Sequence, residues 1–306
     1  MGSTSFRSDA FIGSGRFFEG GEMRWFQISM MAMVNAMAAI VSAPALAAPI
    51  SGQHFDRAIF VIFENENYSS VISEPFFKEL AQKGAHFTDF RAITHPSQGN
   101  YIALTSGSTH RVLGDMTTDL NVSNIADLLE AKGLSWRVYA EDYPGNCYTG
   151  DRSGDYVRKH NPFISYVGIQ KSSARCDFIV NAKQFDQDAA NGVLPHYVFY
   201  VPNMKNDGHD TGVAYADKWY RKQFAGYLND QRFMANTILI STFDESGIRL
   251  KNQIYTSIVG PGVKPGTYNE TLNLYSLLRL IEDNWNLGNL GREDATAPSI
   301  PEKIWR

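Results

Sequence analysis

The segment Arg57–Phe63, RAIFVIF, is apolar from its second residue to its last and rich in β-branched and aromatic side chains. A strand of this kind has no polar face to show to water, so both faces must be covered. That demand points to a parallel sheet sandwiched between helices. Three further stretches have the same character: His196 to Val201, Thr237 to Thr242 and Ile254 to Val259, with a shorter strand from Trp136 to Ala140. The spacing predicts helices between them. One runs from Glu74 to Lys83 and stops at Gly84, one from Asn100 to Ser106, and one after a Ser123 or Asn124 cap to Lys132, ended by Gly133. A longer amphipathic helix runs from about Val213 to Leu228, and a last one from Thr271 to Asn286. Strands alternating with helices give an α/β fold, a doubly wound and mostly parallel sheet flanked by helices. His86 to Ile93 is read as one strand-like segment, and Asn146 to Asn191, polar, aromatic and turn-rich, as a small cap-like insertion over the site.

The formal charge of −4 and the lack of a basic stripe argue against a nucleic-acid partner. Residues 23–47 have the layout of a signal peptide: Met23-Arg24, an apolar run from Ile28 to Val41, then Ala45-Leu46-Ala47 as a cleavage site. Residues 1–22 precede it as an N-terminal extension, which leaves 48–306 as one catalytic domain with no further segment long and apolar enough to span a bilayer. The two cysteines, Cys147 and Cys176, are expected to pair in an exported protein. They would close a loop of about 30 residues, worth on the order of 3 kcal/mol in the chain-entropy model. No C-x-x-C, H-E-x-x-H, Walker A or G-x-S-x-G sequence occurs, which removes several common hydrolase and nucleotide-binding readings.

Chemistry concentrates at the ends of the buried strands. Glu64-Asn65 follow the first, Asp207, His209 and Asp210 follow the strand at 196–201, and Asp244-Glu245 follow the one at 237–242. In a parallel sheet such ends share one edge, where open α/β folds place their sites. Carboxylates gathered there repel one another unless a cation sits among them, and hard oxygen donors with an imidazole nearby suit a divalent metal. Ser97, in Thr94-His95-Pro96-Ser97-Gln98-Gly99-Asn100-Tyr101, stands where a strand hands over to a helix. It is either a plain helix cap in a turn or a nucleophile; a serine hydroxyl needs a base or a metal to attack. Metal-assisted ester hydrolysis through a serine adduct is the chemistry these residues suggest.

The ordered series Glu64-Asn65-x-x-Tyr68, His95-Pro96-Ser97-x-x-Asn100-Tyr101, Lys159-His160-Asn161-Pro162-Phe163, Pro202-Asn203 with Asp207-x-His209-Asp210, and Thr242-x-Asp244-Glu245 resembles the phosphoesterase family. That family includes bacterial and fungal acid phosphatases and bacterial phospholipases C, within the alkaline-phosphatase-like superfamily. The resemblance covers roughly residues 56 to 292. It implies an alkaline-phosphatase-like fold and a divalent metal cofactor held by Glu64, Asn65, Ser97, Asp244 and Glu245, with Ser97 as the phosphorylated nucleophile. Asp207, His209 and Asp210 fall in a segment of the same cleft, and His160 in one that lines it. His209, with Asp210, is chosen to protonate the leaving oxygen, because an imidazole suits that role near neutral pH; His95 and His160 remain alternatives. His95, Asn100, His160, Asn203 and Asp207 are expected to bind substrate. Many members carry a histidine where this chain has Leu274, which bears on substrate preference.

The implied function is an exported, metal-dependent phosphomonoesterase of acid phosphatase type. Its partner is a small-molecule phosphate ester, with no nucleic acid and no stable membrane insertion after signal removal. A phospholipase C-type phosphodiesterase is the alternative; those relatives carry added C-terminal domains and a twin-arginine signal, whereas only Arg24 stands here. A secreted metal- or phosphate-binding protein without turnover is the third reading.

Overall fold

The computed structural model describes residues 50–247 and 251–306 of the 306-residue chain. The N-terminal extension and the proposed signal peptide lie outside the described residues. In chain order the principal elements are β1 (Arg57–Phe63), α1 (Pro75–Lys83), β2 (Ala85–Phe87), α2 (Gln98–Ser106), α3 (Ile125–Ala131), β3 (Trp136–Ala140) and β4 (Ile179–Asn181). They continue with α4 (Lys183–Ala190), β5 (Tyr197–Val201), α5 (Val213–Asn229), β6 (Thr237–Phe243), β7 (Thr256–Val259), β8 (Gly266–Tyr268) and α6 (Leu274–Trp285). The eight strands form one sheet in the order β8-β2-β7-β6-β1-β5-β3-β4. β7 runs antiparallel to both its neighbours, and the other pairs are parallel. The architecture is the mostly parallel, helix-flanked sheet expected of the sequence.

The all-apolar β1 lies at the centre, between β5 and β6, and every residue from Ala58 to Phe63 is buried. Beneath the sheet's C-terminal edge, Phe63 packs on Phe77 of α1, Tyr220 of α5 and Phe243 of β6, with ring centroids 5.0, 4.9 and 5.2 Å away. Each such ring contributes about 1.5–3 kcal/mol on burial, so the platform carrying the following residues is among the most firmly held parts of the fold. The Tyr220 hydroxyl is satisfied by Ser241 at 2.7 Å. Asp217, buried on α5, accepts the Phe76 and Phe77 N–H groups at 2.8 and 2.9 Å, and so caps α1 from a neighbouring helix.

Helix ends follow the capping signals, with one difference. Asn124 caps α3 in a reciprocal capping box with Asp127, and Gly133 closes that region in a left-handed conformation, φ 76°. Gly84 ends α1 for another reason. Its φ is −131°, but a Cβ there would lie 2.1 Å from the Ile258 carbonyl oxygen, so glycine is required by the close passage of β7.

Two segments depart from the sequence expectation. His86 to Ile93 is not one strand: β2 stops at Phe87, and Phe90–Arg91 pair with Leu272–Asn273 in a separate two-stranded sheet. The break falls at Asp89, whose carboxylate turns to the Arg91 guanidinium and the Thr271 hydroxyl. The 146–191 stretch is also only partly an insertion, since it contains β4, the edge strand beside β3. Before β4, a small hairpin (Arg152–Ser153 with Tyr156–Val157) and short helical turns carry the Cys147–Cys176 disulfide, Cα–Cα 5.3 Å. No helix among the described residues is long and apolar enough to cross a membrane.

Candidate active site

Strand register brings the first acids together. Phe63 of β1 pairs with Phe243 of β6, so the next residues, Glu64 and Asp244, leave the sheet side by side. The backbone fixes them there. Asp244 N–H donates to the Phe63 carbonyl at 2.9 Å, Glu64 N–H to the Asp207 carbonyl at 3.0 Å, and Asn65 N–H to Asp244 Oδ1 at 3.2 Å. Asn65 adopts a left-handed φ of 47°, a conformation asparagine tolerates better than most side chains. Glu64, Asp244 and Glu245 are all buried.

Ser97 meets these acids from α2. Its side chain makes no capping bond to the helix, which sets aside the plain N-cap alternative. Instead the hydroxyl donates to Glu64 Oε2 at 2.9 Å, and Glu245 Oε1 lies at 3.3 Å as a second acceptor. His95, two residues earlier, places Nδ1 2.5 Å from Glu245 Oε2. The chain from Ser97 through Glu245 to His95 opens on a cavity of about 580 Å³ lined by Asn65, His95, Pro96, Glu245, Ser246 and Gly247. The loop is clamped from behind. Asn100, fully buried, accepts the Ile93 and Thr94 N–H groups and donates to the Thr94 carbonyl, while Asn252 donates to the same carbonyl. The polar atoms of Asn100 are thus spent on the backbone of 93–94, and it acts as a clamp.

His160 enters from the insertion and is 1 % exposed. Its ring lies on Tyr101 with centroids 5.1 Å apart, Nε2 is 2.6 Å from Glu64 Oε1, and Nδ1 is 3.2 Å from Asp207 Oδ2. Burial opposes its charge, but the Glu64 and Asp207 carboxylates outweigh that and pull the imidazole up to about 9. Burial likewise opposes ionisation of Glu64, yet contact with the His160 imidazolium holds this carboxyl well below its usual range. Asp207 is pushed the other way, because burial and the Glu64 charge exceed what the more distant imidazolium returns. Burial and the Glu64 and Glu245 charges push Asp244 far up, and burial with Glu64 raises Glu245. His160 is therefore an enclosed counter-ion to Glu64.

The side chains of Asn203, His209 and Asp210 find their partners outside this cluster, although the His209 N–H donates to Asp207 Oδ1 at 2.8 Å. Asn203 donates to Asp142 Oδ2 at 2.7 Å and receives the Lys205 and Asn206 N–H groups. With Glu141 and Asp142 it borders a separate cavity of about 270 Å³ beyond β3. His209 pairs with Asp210, Nδ1 to Oδ1 2.8 Å, and both are partly exposed. Two residues outside the sequence-derived set are linked to Gln98, next in the chain to Ser97. Asp115 accepts the Gln98 N–H at 3.0 Å and Lys159 Nζ at 2.9 Å. Lys159 stood in the Lys159-His160-Asn161-Pro162-Phe163 motif, but nothing in the turn-rich sequence around Asp115 marks it.

Among the described residues no three His, Cys, Asp or Glu side chains are spaced as metal ligands. The oxygen set suits a hard cation nonetheless: Asp244 Oδ2 is buried without a hydrogen-bond partner beside the Glu64 carboxyl, and the Ser97 hydroxyl lies against two carboxylates.

Sequence and fold comparisons identify the family of the chain. The chain is 38% identical over 282 residues to an acid phosphatase of Aspergillus fumigatus, covering 86% of this chain and 63% of that protein. It is 36% identical over 286 residues to a probable acid phosphatase of Kluyveromyces lactis, covering 89% and 66%. It thus spans just under two thirds of the length of these two relatives. In fold it matches a protein of the alkaline phosphatase superfamily from Vibrio parahaemolyticus, TM-score 0.55 at 16% identity, covering 87% of this chain and 77% of that one. The phosphoesterase family profile matches residues 66–288, from just after Glu64-Asn65 to beyond Asp244-Glu245. A match over that span, with these relatives, makes the chain a member of the phosphoesterase family.

Proposed function

We propose that this protein is a phosphomonoesterase that works through a phosphoserine on Ser97. The observation that carries this reading is the Ser97 hydroxyl, held between Glu64 and Glu245 with His95 behind Glu245. In the first half-reaction Ser97 Oγ attacks phosphorus as its proton passes to Glu245. The bond to the leaving oxygen breaks, and that oxygen takes a proton from His95, which is restored from Glu245. In the second half, Glu245 takes a proton from water as the water oxygen attacks phosphorus. The bond from phosphorus to Ser97 Oγ breaks, Ser97 Oγ takes a proton from His95, and Glu245 passes its proton back to His95, which returns the site to its starting state. His95 is preferred to His209 as the acid because it borders the cavity and touches Glu245, while the His209 imidazole pairs with Asp210.

Glu64, Asn65, Ser97, Asp244 and Glu245 would hold a divalent cation, a role their hard oxygen donors and the orphaned Asp244 Oδ2 support. Such a cation supplies Lewis-acid stabilisation of charge at the transferring phosphoryl group. Export is part of the same proposal, supported by the disulfide, a bond characteristic of oxidising compartments. N-terminal sequencing of secreted material should begin at or near Ala48, and retention of Met1 would contradict export.

The test of function is turnover of a chromogenic phosphate monoester and of a choline phosphodiester, with and without chelator. Monoester turnover abolished by chelator and by Ser97→Ala supports the proposal. Turnover of the diester alone would make it a phosphodiesterase, and turnover of neither a binding protein.

A further inference from the structure

Lys159 is linked through Asp115 to the residue after the nucleophile and has no part in the steps above. Its ammonium lies 2.9 Å from Asp115 Oδ2, and its side chain is 15% exposed. The other oxygen of the same carboxylate, Asp115 Oδ1, accepts the Gln98 N–H at 3.0 Å, the first amide of α2 after Ser97. One carboxylate's width thus separates Nζ from the backbone next to the attacking oxygen. In the same corner Gln98 is 1% exposed and its Nε2 has no acceptor among the described residues, while its Oε1 meets Thr118 of the Asp115 loop at 3.4 Å. The Gln98 N–H and the Lys159 ammonium therefore both face a position now filled by the Asp115 carboxylate, the kind of partner a phosphoryl oxygen would be.

The balance of charge gives this position a purpose. A phosphate monoester carries close to two negative charges near neutral pH, and a diester one. The second charge must be accommodated next to a cluster of three buried carboxyl groups, Glu64, Asp244 and Glu245. His160 cannot meet it, being enclosed between Glu64 and Asp207. The Lys159 charge does act on this cluster: it adds to the larger pull of His160 on Glu64, and it opposes without overcoming the rise of Glu245 caused by burial and the Glu64 charge.

We propose that Lys159 binds the additional charged phosphoryl oxygen of a monoester and thereby sets a preference for monoesters over diesters. Asp115 holds the ammonium in place until substrate arrives. This inference rests on Ser97 being the phosphoryl acceptor.

The experiment compares wild type, Lys159→Gln and Lys159→Arg on an aryl phosphate monoester and a bis(aryl) phosphate diester, with thermal unfolding as the control for folding. Losing one charged hydrogen bond should lower monoester kcat/KM by about 10–100-fold in Lys159→Gln and diester kcat/KM by less than about 3-fold. Lys159→Arg should restore part of the monoester rate. Equal losses on both esters, or no loss on the monoester, would overturn the proposal. If wild type turns over neither ester, the reading of Ser97 fails by itself, and inorganic phosphate decides the role of Lys159. A phosphate-induced rise in melting temperature that Lys159→Gln abolishes supports it, and equal shifts or none in both proteins overturn it.

Discussion

Replacing His160 by glutamine probes the electrostatics of the site more sharply than any surface change. The imidazolium lies 2.6 Å from Glu64 and 3.2 Å from Asp207, and all three side chains are 1% exposed or less. At an effective dielectric of about 20, one unit-charge contact near 4 Å is worth about 4 kcal/mol. Removing one partner of a buried pair costs about 3–5 kcal/mol, because a charge is left uncompensated. His160→Gln should therefore lose about 3–5 kcal/mol in urea unfolding followed by tryptophan fluorescence with chelator present. Asp207→Asn in the same background removes one of the stranded charges, so the double variant should be less destabilised than the sum of the single changes by about 1–3 kcal/mol. A loss under about 1 kcal/mol for His160→Gln, or strict additivity in the cycle, would refute the account of His160 as the counter-ion of Glu64.

Elsewhere, burial first and then the charge of Asp294 push Glu282 of α6 from its ordinary 4.5 up to about 8. The folded state thus holds a proton that the unfolded chain has released. The associated stability is fully present below pH 4.5 and is lost as pH rises through about 8, with a ceiling of about 5 kcal/mol. Glu282→Gln should flatten this dependence and raise stability at pH 9, measured by denaturant unfolding across pH; an unchanged pH profile would count against it. Replacing Cys147 and Cys176 together by serine opens a crosslink between residues 29 apart and should cost about 3 kcal/mol in unfolding free energy, without changing the metal dependence of turnover. Asn100→Ala removes three bonds to the backbone of 93–94 and should lower stability by about 1–3 kcal/mol and reduce kcat while leaving KM nearly constant. A change confined to KM would instead make Asn100 a substrate contact.

Much of the fold was legible in the sequence because it is written in local patterns. Trp136–Ala140 was bounded correctly, and the helix from Val213 differs at its end by one residue, since continuous apolar runs and helical periodicity need no partner to be recognised. What escaped depends on partners. The direction of β7 is set by pairing with β6 and β2, and the break at Asp89 by contacts with Arg91 and Thr271. The same division holds at the site. Glu64, Ser97, Asp244 and Glu245 could be proposed because strand ends converge in any parallel sheet. The pairing of His160 with Glu64 could not, since the insertion that delivers it has no local pattern fixing where it docks. Asn100 and Asn203 carry motif positions but spend their polar atoms on neighbouring backbone and on the acids beyond β3.

The central claim is that Ser97 itself accepts the phosphoryl group. Reacting the protein with a phosphate monoester, quenching in acid and mapping the peptides by mass spectrometry tests it directly. The account predicts a single phosphoryl group on Ser97, absent from Ser97→Ala, which should also lose turnover. Turnover retained in Ser97→Ala, or a phosphoryl group trapped on His95 instead, would contradict it.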